Sequence, residues 1–165
     1  MSEKTICPAC KAETAVFDGP VHRYLASSPG CWNAFCEVLN KEYSDFEYGK
    51  NHRLTVDAYA LQHPGNPSPQ TISSVAIHLA SLCQILEHGY SLSAATEFMQ
   101  AFADHKDAFL WLDPPADLGA INVADVLASD TGLMHLTKVE EWATTTWQAW
   151  HAHHQQINSW IQQYA

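Results

Sequence analysis

Two Ser-Pro pairs constrain the fold most, because each stands directly before apolar residues that recur at helical spacing. Serine is a favoured helix N-cap, and proline is favoured in the first helical turn. After Ser28-Pro29 the spacing predicts a first helix that ends near Tyr43. After Ser68-Pro69 a longer apolar stripe ends before Gly89, and it comprises Ile72, Val75, Ala76, Leu79, Leu82 and Leu86. Both segments are therefore predicted to be amphipathic helices.

Other stretches carry weaker helix signals. Residues 46–62 place apolar side chains on one face and end at His63-Pro64-Gly65, where proline and glycine stop a helix. A further helix is expected over residues 93–105. Asn122 is a candidate cap for a short helix after it.

The C-terminal segment predicts one long helix. Thr137 and Glu140 have the spacing of a capping box, and neither proline nor glycine occurs from there to Tyr164. We expect a single helix of roughly 28 residues. Its apolar face contains Val139, Trp142, Trp147, Trp150, His154, Ile157 and Ile161. A face this wide also favours pairing between two copies, so a homodimer is expected.

No segment shows comparable strand alternation. The chain has 165 residues, of which 47% are hydrophobic, and this is enough to bury one core. We predict an all-α protein: one domain over residues 1–165, with a bundle of about five helices over 31–165. Residues 1–30 are rich in turn formers and are expected to be a small zinc-knuckle-like loop region.

Charge restricts the possible partners. Eight Lys and Arg residues stand against eighteen Asp and Glu residues, which gives a formal net charge of -10. Such a chain lacks the positive charge that binds a phosphate backbone, so nucleic acid is not expected as a partner. No run of about eighteen apolar residues suggests a membrane span, and no apolar stretch of a signal peptide precedes the first cysteine. The sequence favours a cytoplasmic location.

The run Cys7-Pro8-Ala9-Cys10 predicts half of a zinc site, because a Cys-x-x-Cys turn can hold two thiolates on one side of a loop. Cys31, at the start of the first helix, is a third candidate, and His22 or Cys36 could be the fourth. Cys31 and Cys36 would lie about 140° apart on a helix, which favours His22. The alternative is that the two N-terminal thiols are free and that the other cysteines are small core residues.

Histidines suggest a second, catalytic metal site. Three of them, His63, His78 and His154, are predicted on apolar helix faces. If these faces meet, three imidazoles and an open position would form the arrangement that catalytic zinc requires. Asp57 would then act as the orienting group or base, and Tyr59 as a polar group of the pocket. The alternative for each histidine is a core residue that is hydrogen-bonded to a carbonyl.

A resemblance supports part of this interpretation. The segments 52–65 (HRLTVDAYALQHPG), 18–24 (DGPVHRY) and 28–32 (SPGCW) resemble an uncharacterised family of small bacterial proteins that bears only a domain-of-unknown-function label. The resemblance covers residues 7 to about 88, and the terminal helix more loosely. It implies a shared fold and shared metal ligands but no reaction, and Cys36 departs from its pattern. The DinB-like metal-dependent bundles are similar only at the level of the fold.

Two classes of function follow. The first is a metal-dependent enzyme that acts on a small molecule. The second is a non-enzymatic module in which zinc is structural and an exposed face recruits a protein partner. Metal sensing is a further possibility that the acidic, histidine-rich composition allows, and it predicts weak, exchangeable binding. Phosphate-binding loops, nucleophile elbows and His-Glu-x-x-His motifs are not found in the sequence.

Overall fold

The computed structural model describes residues 3–165, so the first two residues of the predicted loop region lie outside the described residues. The chain begins with an antiparallel hairpin formed by β1 (Lys4–Ile6) and β2 (Glu13–Ala15), with Lys4 opposite Ala15. The Cys-x-x-Cys turn connects these strands. The sequence predicted only a loop here, because strands of three residues are too short to show alternation.

Helices dominate the rest of the described chain. The eight α-helices within residues 3–165 are α1 (Pro29–Ser44), α2 (Phe46–Gly49), α3 (His52–Gln62), α4 (Pro69–Leu82), α5 (Leu92–Ala103), α6 (Val123–Leu127), α7 (Gly132–Ala149) and α8 (His154–Tyr164). The prediction of an all-α fold is confirmed, although the helices are more numerous than the expected five. None of these helices is long and apolar enough to cross a membrane.

The predicted caps are present at both Ser-Pro pairs. Ser28 Oγ accepts a hydrogen bond from the Cys31 backbone N–H at 3.1 Å. Ser68 and Thr71 exchange side-chain and backbone hydrogen bonds in a capping box. A π-helical turn, Cys83–Glu87, continues α4, and Gly89 follows with a φ of +68°. The left-handed conformation of Gly89 ends this segment where the sequence predicted its end.

The prediction of one terminal helix was wrong. Thr131 caps α7, and a 3₁₀ turn, His151–His153, separates α7 from α8. Tertiary hydrogen bonds accompany the break: the fully buried Trp150 donates from Nε1 to the Leu61 carbonyl at 3.2 Å. In the turn itself, His153 Nε2 donates to the Asp113 carbonyl at 2.7 Å. These contacts favour the turn over a continuous helix.

The predicted helix over residues 46–62 is likewise divided, into α2 and α3, at Lys50 and Asn51. Asn51 lies between them, and its Nδ2 donates to the Leu136 carbonyl at 3.3 Å and to Glu140 Oε1 at 3.2 Å. These two hydrogen bonds hold the start of α3 against α7.

Helix α3 packs against both α4 and α7. One polar side chain links α3 to α7 and to the segment before α6: Gln62 is fully buried, donates from Nε2 to the Ile121 carbonyl at 2.7 Å, and accepts from Trp142 Nε1 at 2.8 Å. The tryptophans that suggested a homodimer, Trp142, Trp147 and Trp150, are buried within the chain. The homodimer stays a prediction.

A buried carboxylate joins three helices. Glu42 on α1 accepts hydrogen bonds from His52 Nδ1 at 2.9 Å, from Thr55 Oγ1 at 2.7 Å and from His135 Nε2 at 2.8 Å. Burial is the largest single influence and raises the pKa of Glu42, but the three hydrogen bonds together outweigh it and lower the pKa. Glu42 therefore ties α1 to α3 and α7 as an ionised group.

Candidate metal centre

Four side chains converge below the hairpin. The sulfur atoms of Cys7, Cys10 and Cys31 and one ring nitrogen of His63 all lie within 4.8 Å of one another. Each of the four residues is at most 3% exposed. This is the one group of this kind among residues 3–165, and the four donors could hold a metal ion.

The hairpin turn positions the first two sulfurs. The Lys11 N–H donates to the Cys7 carbonyl at 3.0 Å, and the Cys7 N–H donates to the Ala12 carbonyl at 2.9 Å. Lys11 has a φ of 65°, and this left-handed residue turns the chain back so that the Ala12 N–H reaches Cys10 Sγ at 3.4 Å. The turn thus directs one backbone donor at Cys10 Sγ, a contact that stabilises the thiolate form when a cation is bound.

The other two donors come from helix ends. Cys31 lies in the first turn of α1, held there by the Ser28 cap, and His63 is the residue that ends α3. His63 Nδ1 donates to the Tyr59 carbonyl at 2.7 Å, which leaves the lone pair on Nε2, 3.3 Å from Cys31 Sγ. A histidine that binds a metal is commonly oriented by such a hydrogen bond from its other nitrogen.

The distances suit a tetrahedral ion. Cys10 Sγ and Cys31 Sγ are 3.7 Å apart. Two ligands at the usual zinc–sulfur distance of about 2.3 Å would be separated by ~3.8 Å in a tetrahedron. A disulfide would require about 2.05 Å, and all five cysteines are free.

The three thiols influence one another strongly. Hydrogen bonds with Cys31 and Cys7, followed by burial, raise the pKa of Cys10 far above its usual range. The hydrogen bond with Cys10 lowers the pKa of Cys31, but the hydrogen bond with Cys7 and burial outweigh it and raise that pKa to about 12. Hydrogen bonds from Cys10 and Cys31 lower the pKa of Cys7. Without a cation, the thiols therefore do not all ionise together.

The cluster differs from the predicted zinc site in its fourth member. It brings together Cys7, Cys10 and Cys31 as expected, but with His63 in place of His22. The His22 ring lies against Tyr24 and Trp32, with ring centroids 4.4 and 5.3 Å away, and its Nδ1 accepts from the Tyr24 N–H. Cys36, the other candidate, is exposed. No local signal marks His63, because it lies 32 positions from Cys31 along the chain.

The predicted three-histidine site is not formed among residues 3–165. His63 belongs to the cysteine cluster, and His78 Nδ1 is bonded to Asp57 Oδ1 at 2.7 Å. The ring of His154 stacks on Trp147 with centroids 3.6 Å apart, and its Nε2 donates to the Trp147 carbonyl. Because the chain turns between α7 and α8, the His154 ring at the start of α8 lies against Trp147 of α7.

The two predicted catalytic residues have separate surroundings. Asp57 is fully buried, and its Oδ1 accepts a hydrogen bond from His78 Nδ1 at 2.7 Å. Tyr59 is also buried, and its hydroxyl lies 2.7 Å from Ser27 Oγ and 3.5 Å from Cys31 Sγ. Burial, followed by the charge of Cys31, raises the pKa of Tyr59 well above its usual range. Tyr59 thus borders the metal cluster as a neutral phenol.

A comparison with protein families now assigns the chain. The model of DUF5946, a family of unknown function, matches residues 5–151. The chain belongs to the DUF5946 family. The resemblance to a family of unknown function is thereby confirmed, and all four donors of the cluster lie within the matched residues. No curated protein and no solved structure matches the chain.

Proposed function

We propose that this DUF5946 chain binds one zinc ion through Cys7, Cys10, Cys31 and His63, and that the ion is structural. The observation that carries the proposal is the burial of all four donors, each at most 3% exposed. Structural zinc sites use four protein ligands, whereas catalytic sites keep one position for water or substrate. Four buried protein donors at tetrahedral spacing favour the closed kind.

The donor set favours zinc. Three soft thiolates and one imidazole suit a tetrahedral ion, and they are poor ligands for magnesium or calcium, which prefer oxygen. Zinc also carries no redox chemistry of its own, which suits a site whose role is to join segments of chain.

The hairpin has little apolar burial of its own to hold it against the helices. Strands of three residues do not form a stable hairpin in water by themselves. The hairpin contributes few buried apolar residues, and its Ile6 is 61% exposed. A zinc ion would therefore fix the hairpin to the start of α1 and the end of α3.

A metal sensor is the competing interpretation of the same residues. It would require weak binding and rapid exchange, whereas donors shielded from water favour slow exchange. The rate at which a chromogenic chelator removes zinc from the native protein separates the two. Removal within seconds would favour the sensor, and removal over hours would favour a structural ion. Recruitment of a protein partner and a cytoplasmic location stay predictions.

Metal content of the untagged protein tests the proposal. We expect one zinc per chain in the wild type, and loss of zinc in Cys31→Ser and in His63→Ala. Two variants are matched controls: Cys36→Ser replaces an exposed cysteine on the same helix as Cys31, and His22→Ala replaces the histidine outside the cluster. Both controls should keep their zinc. Full zinc content in Cys31→Ser, or loss in His22→Ala, would contradict the proposed ligands.

A further inference from the structure

A second polar constellation joins α3 to α4. The buried carboxylate of Asp57 accepts from His78 Nδ1 at 2.7 Å and from Ser81 Oγ at 2.6 Å, and the Arg53 guanidinium lies 3.1 Å from the same carboxylate. An ionised carboxylate only accepts, so the His78 proton is on Nδ1. In the neutral imidazole, the Nε2 atom of His78 then carries a lone pair, which the hydrogen bond of Nδ1 holds in a fixed direction.

Nε2 is the free end of this arrangement. Within residues 3–165 it has no hydrogen-bond partner, and the His78 side chain is 16% exposed. His78 lines two neighbouring cavities, one of about 220 Å³ and one of about 660 Å³, and Tyr24 and Ser74 also line both. An oriented acceptor thus stands at the junction of two cavities.

The smaller cavity has aromatic walls. Its lining includes Trp32, Phe35 and Tyr59, and the last two are stacked with ring centroids 3.8 Å apart. His22 completes this wall beside Trp32. A cavity of about 150 Å³ can hold benzene. A volume of about 220 Å³ therefore suits a single substituted ring.

Arg53 adds an unused donor. Its Nε is buried and has no hydrogen-bond acceptor among the described residues, although its guanidinium reaches Asp57. Arg53 lines the larger cavity, next to His78. The Arg53 side chain as a whole is 22% exposed, so its guanidinium can donate to a ligand oxygen in this cavity. His78 Nε2 at the junction is thus an acceptor for a ligand, and the Arg53 guanidinium in the larger cavity is a donor.

We propose that these cavities bind a planar ring compound that carries an N–H donor beside a carbonyl acceptor, as a heteroaromatic lactam does. The ring would occupy the aromatic cavity, its N–H would donate to His78 Nε2, and its carbonyl oxygen would face Arg53. Asp57 is then a positioning residue, which is the orienting role that the sequence suggested for it. This site adjoins the metal cluster through Tyr59, and the proposed binding does not involve the metal.

Binding of two single-ring probes tests this proposal on the wild-type protein. The probe 2-pyridone carries the N–H and the carbonyl, whereas pyridine has the same ring without either. We expect saturable quenching of tryptophan fluorescence by 2-pyridone, with a dissociation constant on the order of 1 mM or lower for so small a ligand. Pyridine should bind at least about tenfold more weakly, because one hydrogen bond to a buried site corresponds to about that factor. Equal binding of the two probes, or no saturable binding of 2-pyridone, would overturn the proposal.

Two variants locate the site. His78→Gln should weaken 2-pyridone binding at least about tenfold, whereas His88→Gln, which changes an exposed histidine outside both cavities, should leave it unchanged. Ser74→Phe places a ring between the cavities and should abolish binding. The thermal unfolding midpoint of each variant shows whether it is folded. Wild-type affinity in a folded Ser74→Phe protein would refute the assignment of these cavities.

Discussion

Removal of the metal should reduce the stability of the whole chain, and the structure allows the effect to be calculated. The ion would link Cys10 to Cys31, 21 positions apart, and Cys31 to His63, 32 positions apart. An ion that its thiolate ligands retain in the unfolded chain acts as a cross-link, and the chain-entropy relation for cross-links then assigns about 3 to 4 kcal/mol to each closed loop of such length. The sum, ~7 kcal/mol, is comparable with the total unfolding free energy of a typical domain. Contacts that persist among the thiols without the ion make the effect smaller than this sum. We therefore expect chelation to lower the unfolding free energy by at least about 3 kcal/mol.

Urea unfolding in reducing buffer, followed by far-UV circular dichroism, measures this effect. The zinc-loaded protein and the protein with excess chelator are compared at equal concentration. The variant Cys31→Ser is the control for the chelator itself: it should already be destabilised, and the chelator should change it no further. If chelation lowers the unfolding free energy of the wild type by less than about 1 kcal/mol, the loop-closure reasoning fails.

Other predictions concern the buried Glu42 carboxylate and the contact between the hairpin and α1. Glu42→Gln should lower the unfolding free energy by about 2–3 kcal/mol near neutral pH, because hydrogen bonds to a buried charge are lost. Since the folded pKa of Glu42 is lowered, its contribution is present above the usual carboxyl pKa and is lost as pH falls through the folded value. Urea titrations should therefore show the deficit shrinking in acid, and a constant deficit would contradict this. Gly30→Ala should destabilise by about 1–3 kcal/mol, because a Cβ there would collide with the Ala15 carbonyl. The same urea titrations measure this loss. An unchanged unfolding midpoint would show that the Ala15 carbonyl leaves room for a side chain at position 30.

The sequence predicts the helices that have strong local start signals. Ser28 and Ser68 cap α1 and α4 as expected, because N-capping depends on residues within one turn. The break after α7 has no such signal. It accompanies the burial of Trp150 and its hydrogen bond to the Leu61 carbonyl, a residue far away in sequence. Tertiary contacts of this kind override a pattern that lacks proline and glycine.

Three of the four donors, Cys7, Cys10 and Cys31, were predicted, and the first two have a local geometry. Cys7 and Cys10 lie on one turn, so their spacing alone brings the sulfurs together. The choice of His63 over His22 depends on the packing of α3 against α1. His22 has the shorter separation from the cysteines, but its ring is held by Tyr24 and Trp32 in the wall of a cavity. Spacing cannot reveal which histidine the fold turns inward.

The coordination of the ion tests the central claim most directly. X-ray absorption at the zinc edge of the untagged protein counts the ligands and measures their distances. Three sulfur ligands at about 2.3 Å and one nitrogen at about 2.0–2.1 Å are the result expected for Cys7, Cys10, Cys31 and His63. A shell made mainly of nitrogen and oxygen, or one with a bound water in place of a thiolate, would contradict a closed structural centre.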